Sequence, residues 1–201
     1  MKYVVVINGR PTSGKTTLNH MIADRVAKTQ KNTDTTIIST IDYIKQIYMK
    51  LGWDGISKTN EDRRNLSYLK DIYINKCDGP LMNIVSIVAH SDNKINHVFL
   101  VDCRESNEIE KIAFAMRILA TCQDVVFVTV YIKRGEAING EKEFNKYGNS
   151  SDDISLDQYN YDYVVMNDGS LVELRETANE LVHMIIDVRQ KGIGEIINGK
   201  K

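Results

Sequence analysis

The sequence predicts an α/β fold in which helices cover both faces of a five-stranded parallel sheet. Five short apolar runs, rich in β-branched residues, alternate with segments in which apolar residues recur at helical spacing. A chain of 201 residues suits one such domain, long enough to bury a full core. We therefore expect residues 1–201 to form a single domain.

The predicted elements follow one another in a regular order. The apolar runs predict strands at residues 3–8, 35–40, 98–101, 125–132 and 161–166. Helical spacing covers residues 18–26, 43–49, 60–76, 82–88, 109–116 and 171–186. Asp42 stands before the second helix, where its carboxylate can cap the helix, and Pro80 suits the first position of a later one.

A glycine-rich stretch lies between the first strand and the first helix. Residues 9–16 fit the P-loop pattern G-x-x-x-x-G-K-[ST]. The glycines let the backbone approach a polyphosphate, and free N–H groups at the helix start face the anion. Lys15 can reach the β- and γ-phosphates of ATP, and the Thr16 hydroxyl can bind Mg²⁺. The predicted nucleotide-binding residues are Gly9, Arg10, Pro11, Thr12, Ser13, Gly14, Lys15, Thr16 and Thr17.

The third strand ends in a second chemically informative stretch. Its four apolar residues are followed by Asp102, the pattern of a Walker B strand. In open α/β sheets the carboxyl ends of the strands face the ligand crevice. Asp102-Cys103-Arg104 thus places an anionic metal partner beside a cationic phosphate partner. Cys103 lies between the two and is a candidate for reaction with thiol reagents.

Two segments depart from the plain alternation of strand and helix. Residues of about 42–92 form a helical insert, and residues of about 133–158 are polar with no sustained period. In a phosphoryl-transfer enzyme the insert can hold the acceptor substrate. The polar segment can close over the donor nucleotide as a lid and exclude water. A segment of this length without regular structure is typical of a lid or of disorder.

These features resemble the nucleoside monophosphate kinase group of P-loop kinases. The chain is most similar to the deoxynucleoside monophosphate kinase-like proteins of phages and bacteria, which are related to the animal type of phosphomevalonate kinase. The matching segments are residues 9–16, 41–45, 58–70, 102–109, 149–152, 161–163 and 167–169. The resemblance covers nearly the whole chain. It implies the three-layer P-loop NTPase fold and transfer of a phosphoryl group from ATP to a (deoxy)nucleoside monophosphate.

The resemblance implies donor-side roles for several residues. Lys15 and Thr16 would hold the donor phosphates and Mg²⁺. Asp102 would hold the water shell of the metal or orient the acceptor phosphate, which makes Thr16 and Asp102 the implied metal residues. Arg134, after the fourth strand, would reach the donor phosphates from the lid. Neutralising charge on the transferred group is most of the catalytic task.

The resemblance also implies an acceptor side. Arg104, with Arg63 or Arg64, would bind the acceptor phosphate, because a planar guanidinium offers paired N–H groups. Asp42 and Lys45 are further substrate-binding candidates at the start of the insert. Surface roles compete with these: the two neighbouring arginines can be the solvated face of a helix, and Lys45 the exposed side of another.

Departures from the family pattern keep other functions open. Glu105-Ser106 stands where the phage enzymes more often have an aromatic residue and a proline, and no arginine occurs between Arg134 and Arg175. One alternative is a kinase of another small molecule, such as phosphomevalonate, a nucleoside or a cofactor precursor. Another is a nucleotide-binding module that regulates a partner without catalysis.

The overall composition limits the kinds of partner that the protein is expected to bind. The formal charge of −1 at pH 7 does not favour nucleic acid or an anionic membrane, so any anion site must be local. Cys77, Cys103 and Cys122 are odd in number and lack metal-ligand spacing, which predicts free thiols in a reducing compartment. We expect a cytoplasmic monomer or homodimer without a targeting segment, whose partner is a small-molecule phosphate acceptor.

Overall fold

The fold is given by a computed structural model that describes residues 1–56, 59–103, 105–134 and 159–187. Arg104 lies outside the described residues, as do Lys58 and residues 149–152 of the matching segments. The same holds for residues 135–158 of the predicted lid. The lid stays a prediction, as does the expectation that residues 1–201 form a single domain.

Five parallel strands form one sheet in the described part of the chain. They are β1 (Lys2–Asn8), β2 (Thr33–Ser39), β3 (Asn96–Asp102), β4 (Val125–Lys133) and β5 (Tyr163–Met166), in the spatial order β2-β3-β1-β4-β5. The predicted parallel sheet is confirmed. The fifth strand begins two residues later than predicted, because the Asp162 carboxylate accepts hydrogen bonds from the backbone N–H and the hydroxyl of Thr129, each over 2.8 Å.

Helices connect the strands. They are α1 (Lys15–Thr29), α2 (Asp42–Lys50), α3 (Asn60–Cys77), α4 (Gly79–His90), α5 (Ser106–Leu119) and α6 (Leu171–Val182), which continues into a π-helical turn at His183–Asp187. Capping boxes at Thr59 and Ser170 start α3 and α6. The expectation that Asp42 caps its helix is wrong. Asp42 is the first residue of α2, and its carboxylate turns back to accept the Ser39 N–H over 2.8 Å.

The core lies on both faces of the sheet, because alternate side chains of each strand point to opposite sides. On one face, Tyr3, Val5 and Ile7 pack with buried residues of α1 and α6. On the other, Val4 and Val6 pack with buried residues of α4 and α5. The three-layer arrangement that the alternating elements predict is therefore present. No helix in the described ranges is long and apolar enough to cross a membrane.

Side-chain contacts join α2 to α3 within the insert. The Tyr48 hydroxyl of α2 donates to Asp62 Oδ1 over 3.1 Å and accepts from Asn65 Nδ2 over 2.9 Å. The Tyr43 and Tyr73 rings stack with their centroids 4.9 Å apart. Since α2 begins three residues after β2 ends, this helical pair starts at the carboxyl edge of the sheet.

Candidate active site

The glycine-rich loop joins β1 to α1 at the carboxyl edge of the sheet. Gly14 has a left-handed φ of 100°, and a Cβ there would lie 2.4 Å from Asn167 Nδ2. A Cβ at Gly9 would lie 2.3 Å from the Ile132 carbonyl oxygen. Thr12 is also left-handed, with φ 62°. The backbone therefore forms a tight loop that side chains at the two glycines would obstruct, as a P-loop requires.

Lys15 occupies the inside of this loop. Its side chain is buried, and its ammonium donates to the carbonyl oxygens of Gly9 over 2.5 Å and Arg10 over 2.9 Å. These two carbonyls stand in for the phosphate oxygens that a P-loop lysine binds. The ammonium is thus held where the loop closes around an anion.

Two residues behind the loop fix its start. The Gly9 N–H donates to Asn8 Oδ1 over 2.6 Å, and Asn8 Nδ2 donates to the Tyr161 hydroxyl oxygen over 2.9 Å. The Tyr161 ring stacks on Tyr131 with centroids 5.0 Å apart. Burial raises the pKa of the Tyr161 phenol, so the hydroxyl stays protonated. Sequence reasoning missed the role of Asn8, and had only the Tyr-Asp-Tyr pattern to indicate Tyr161.

The loop after β5 contacts the P-loop from the other side. Asn167 Nδ2 donates to the Ser13 carbonyl oxygen over 2.8 Å, and the Asn167 N–H donates to the Lys133 carbonyl oxygen over 2.7 Å. Residues 167–169 connect β5 to α6, with a bend at Gly169 in place of the predicted turn, and the helix begins at Leu171 after its N-cap Ser170. The amide contact was not predicted, because nothing in the local sequence indicates which part of the chain the side chain meets.

Asp102 is the last residue of β3, as predicted. It pairs in register with Ile7 of β1 on one side and with Ser39 of β2 on the other. The strand that leads into the P-loop, β1, is therefore its direct neighbour. Its carbonyl oxygen accepts the Thr40 N–H over 3.2 Å, which holds the ends of β2 and β3 together. The half-buried carboxylate is therefore at the edge that carries Lys15 and the start of the insert.

Cys103 is not accessible to thiol reagents, so that expectation is wrong. Its side chain is fully buried in the core cluster that contains Ile109 and Ile112. Burial raises the pKa of the thiol, and its Sγ donates to the Glu105 carbonyl oxygen over 3.6 Å. Cys77 and Cys122 are free and exposed.

The candidate cations differ in their surroundings. Arg63 and Arg64 are exposed on the first turn of α3, and Arg134 is exposed directly after β4. Lys45 pairs with Asp42 over 3.0 Å, and both side chains are partly exposed. A further cation was missed by sequence reasoning: Lys70, buried in α3, forms an ion pair with the Glu105 carboxylate beyond β3.

The residues present fit a nucleotide with Mg²⁺. The backbone N–H groups of the loop and of the first turn of α1 lie where a P-loop binds phosphate, and a Cβ at Gly9 would meet the Ile132 carbonyl oxygen. Thr16, exposed in the first turn of α1, and Asp102 offer oxygen ligands, which Mg²⁺ prefers alongside substrate phosphates. A group of three or more His, Cys, Asp and Glu side chains that could hold a metal does not occur within the described ranges.

Sheet order and loop together define a protein with the P-loop NTPase fold. Two solved structures share this architecture. The tunicamycin resistance protein of Deinococcus radiodurans matches with a TM-score of 0.52 and 10% identity, over 92% of this chain and 96% of that one. The protein APE1195 matches with a TM-score of 0.51 and 16% identity, again over 92% and 96%. No protein-family model matches the chain, and no curated protein matches it in sequence. At these identities the likeness shows the fold alone.

Proposed function

We propose that the protein transfers the γ-phosphoryl group of ATP to a small phosphorylated acceptor of the (deoxy)nucleoside monophosphate class. The observation that carries this proposal is the position of Lys15. Its ammonium lies inside a P-loop, on the sheet edge that also holds Asp102 and the start of the α2–α3 insert. The proposed donor site and the proposed acceptor insert therefore begin at the same edge of the sheet.

The donor half follows from the loop. Backbone N–H groups at the start of α1 and the Lys15 ammonium would bind the β- and γ-phosphates of ATP, exchanging the Gly9 and Arg10 carbonyls for phosphate oxygens. Thr16 and Asp102 would hold Mg²⁺, which when bound neutralises charge on the transferred group. Arg134, exposed at the end of β4, would add positive charge from the lid side.

The proposed acceptor side is argued from the charge of the two reacting phosphates. An oxygen of the acceptor phosphate would attack the γ-phosphorus as the bond to the β-phosphate oxygen breaks, so the products are ADP and a diphosphate. Bringing two anions together requires cations on the acceptor side. Arg63, Arg64 and Lys45 on the insert, with Arg104 after β3, would provide them, whereas an unphosphorylated acceptor needs less positive charge. The active protein is proposed as a cytoplasmic monomer or homodimer.

ADP release with a panel of acceptors tests the proposal. The protein is incubated with ATP, Mg²⁺ and each deoxynucleoside and ribonucleoside monophosphate, with phosphomevalonate as a further arm. We expect one or more monophosphates to raise ADP release above the ATP-only rate. Lys15→Ala should abolish transfer with the melting temperature nearly unchanged, while Lys28→Ala, an exposed lysine on the same helix, should leave both unchanged.

Two outcomes would contradict the proposal. ATP binding without acceptor-dependent ADP release from any arm would indicate a nucleotide-binding regulatory module. Transfer to phosphomevalonate alone would assign the protein to another class of small-molecule kinase. Arg104→Ala adds a test of the acceptor side: we expect a raised KM for the acceptor with ATP affinity retained, and loss of ATP binding would refute that role.

A further inference from the structure

An ion pair between a buried lysine and a largely buried glutamate joins the insert to the loop that follows β3. Lys70 lies in α3, and its ammonium contacts Glu105 Oε1, 35 residues away along the chain. The two side chains are only 11% and 25% exposed. Lysine and glutamate are seldom buried, and burying both charges costs desolvation free energy that their attraction must offset.

Two hydrogen bonds to its carbonyl oxygen hold the backbone of Glu105 in place. Its carbonyl oxygen accepts the Ile109 N–H over 3.2 Å and the Cys103 Sγ–H over 3.6 Å. Glu105 occupies the N-cap position of α5, yet its side chain does not cap that helix and points to Lys70 instead. The carboxylate therefore connects α3 to the loop that follows Asp102, the last residue of β3.

The pair is incompletely satisfied. Glu105 Oε2 is buried and forms no hydrogen bond to the described residues. A buried carboxylate oxygen without a hydrogen-bond partner destabilises the folded state. Replacing a buried ion pair by apolar side chains is often neutral or stabilising. Stability alone thus does not explain why two charges are buried here.

A second ion pair on the same side of the molecule differs in exposure. Lys111 of α5 contacts Asp78, at the corner between α3 and α4, over 3.2 Å, with side chains 40% and 57% exposed. Exposed pairs contribute little to stability and fix geometry weakly. The Lys70–Glu105 pair is less exposed than this, and Glu105 is only three residues from Asp102.

We propose that Lys70 and Glu105 are positioning residues, which set the orientation of α3 relative to the loop after β3. They thereby set the distance from the acceptor insert to Asp102 and the P-loop. Buried ionic groups can specify one arrangement at the expense of stability, as this pair would do for α3. The consequence for the acceptor rests on the proposed function; the orientation of α3 does not.

Distance measurements between spin labels test the orientation without any turnover. Spin labels are attached to cysteines introduced at two exposed positions, Tyr68→Cys in α3 and Arg117→Cys in α5, in the full chain. The exposed native thiols are removed by Cys77→Ser and Cys122→Ser, and Cys103 is buried and stays unlabelled. We expect a narrow distance distribution in this parent. The double variant Lys70→Met with Glu105→Leu should broaden or shift it while melting no lower than the parent.

Two further variants show whether the ion pair or the packing of α3 sets the orientation of this helix. The reversed pair Lys70→Glu with Glu105→Lys should restore the narrow distribution. Asp78→Asn, which removes the charge of the exposed pair and leaves the Lys111–Glu108 pair in place, should leave the distribution unchanged. An unchanged distribution in the Lys70→Met, Glu105→Leu variant would overturn the proposal, since α3 would then be held by packing. If Asp78→Asn broadens the distribution as much as the double variant does, the proposal is overturned as well.

Steady-state kinetics test the consequence for the acceptor. With dAMP, dCMP, dGMP and dTMP as probes, the apolar double variant should raise the KM for the acceptor that the wild type uses by about tenfold, with the KM for ATP nearly unchanged. Equal changes in both constants would refute acceptor positioning. If the wild type transfers to none of the probes while the label distances behave as expected, the proposed function fails and the positioning role of the pair stands.

Discussion

The Asn167 side chain binds the P-loop of this protein through the Ser13 carbonyl oxygen, over 2.8 Å. The same residue binds the end of β4 through its backbone N–H, which donates to the Lys133 carbonyl oxygen over 2.7 Å. A single residue after β5 therefore connects the ends of β4 and β5 to the loop around Lys15. The shape of the nucleotide site depends on a segment more than 150 residues from the loop in sequence.

Asn167→Ala should weaken ATP binding without unfolding the protein. The Ser13 carbonyl would lose its amide donor, and the P-loop would be less fixed around Lys15. We expect the Kd for ATP to rise by roughly fivefold, the equivalent of one hydrogen bond. Ser170→Ala is the control, because it removes the cap of α6 three residues further on. It should lower the melting temperature and leave the Kd for ATP unchanged.

Gly14→Ala should weaken nucleotide binding, because the new Cβ displaces the Asn167 amide from the P-loop and the backbone is strained. The new Cβ would lie 2.4 Å from Asn167 Nδ2, at a φ of 100°. Gly52→Ala separates the two effects, since Gly52 has a φ of 105° with no heavy atom within 4 Å of the added Cβ. Both variants should lose about 1–2 kcal/mol of stability from strain. Calorimetric titration with ATP should give an unchanged Kd for Gly52→Ala and a Kd raised by roughly fivefold or more for Gly14→Ala.

The sheet could be predicted from sequence because its evidence is local. Continuous apolar runs such as residues 98–101 are typical of buried parallel strands, and the change to helical spacing marks each crossover. The glycine pattern of residues 9–16 fixes the β1–α1 loop in the same way, because its chemistry and spacing lie within eight residues. Asp102 followed from strand polarity: the carboxyl ends of parallel strands share one edge.

The contacts that shape the site could not be predicted, because each joins segments far apart in sequence. Asn8 with Tyr161 and Lys70 with Glu105 meet through tertiary packing, and neither partner has a local pattern that indicates the other. Cys103 was expected to be reactive because its neighbours in sequence are polar candidates. Burial in the α5 core decides its chemistry instead, and burial depends on how the helix packs on the sheet.

Tyr161→Phe should loosen the start of the P-loop. The substitution removes the hydrogen-bond acceptor of Asn8 Nδ2, a fully buried group, while the ring can still stack on Tyr131. We expect a loss of about 1 kcal/mol in the free energy of unfolding, and ATP affinity should fall because Asn8 also binds the Gly9 N–H. Tyr159→Phe alters the neighbouring ring, 4.8 Å away. Equal effects of the two substitutions on ATP affinity would exclude a role for the Asn8 contact.

Cys103 should make the fold less stable in alkaline solution. Burial raises the pKa of its thiol above the ordinary value of 9.0, so the folded state keeps the proton while the unfolded thiol ionises. Stability is therefore fully present below about pH 9 and falls above it, by up to about 1.4 kcal/mol per pH unit. Urea unfolding at about pH 8 and pH 10 should show a smaller loss for Cys103→Ala than for the wild type. Cys77→Ala, at an exposed thiol, should follow the wild type. If Cys103→Ala also follows the wild type, Cys103 is not the group whose ionisation destabilises the folded protein.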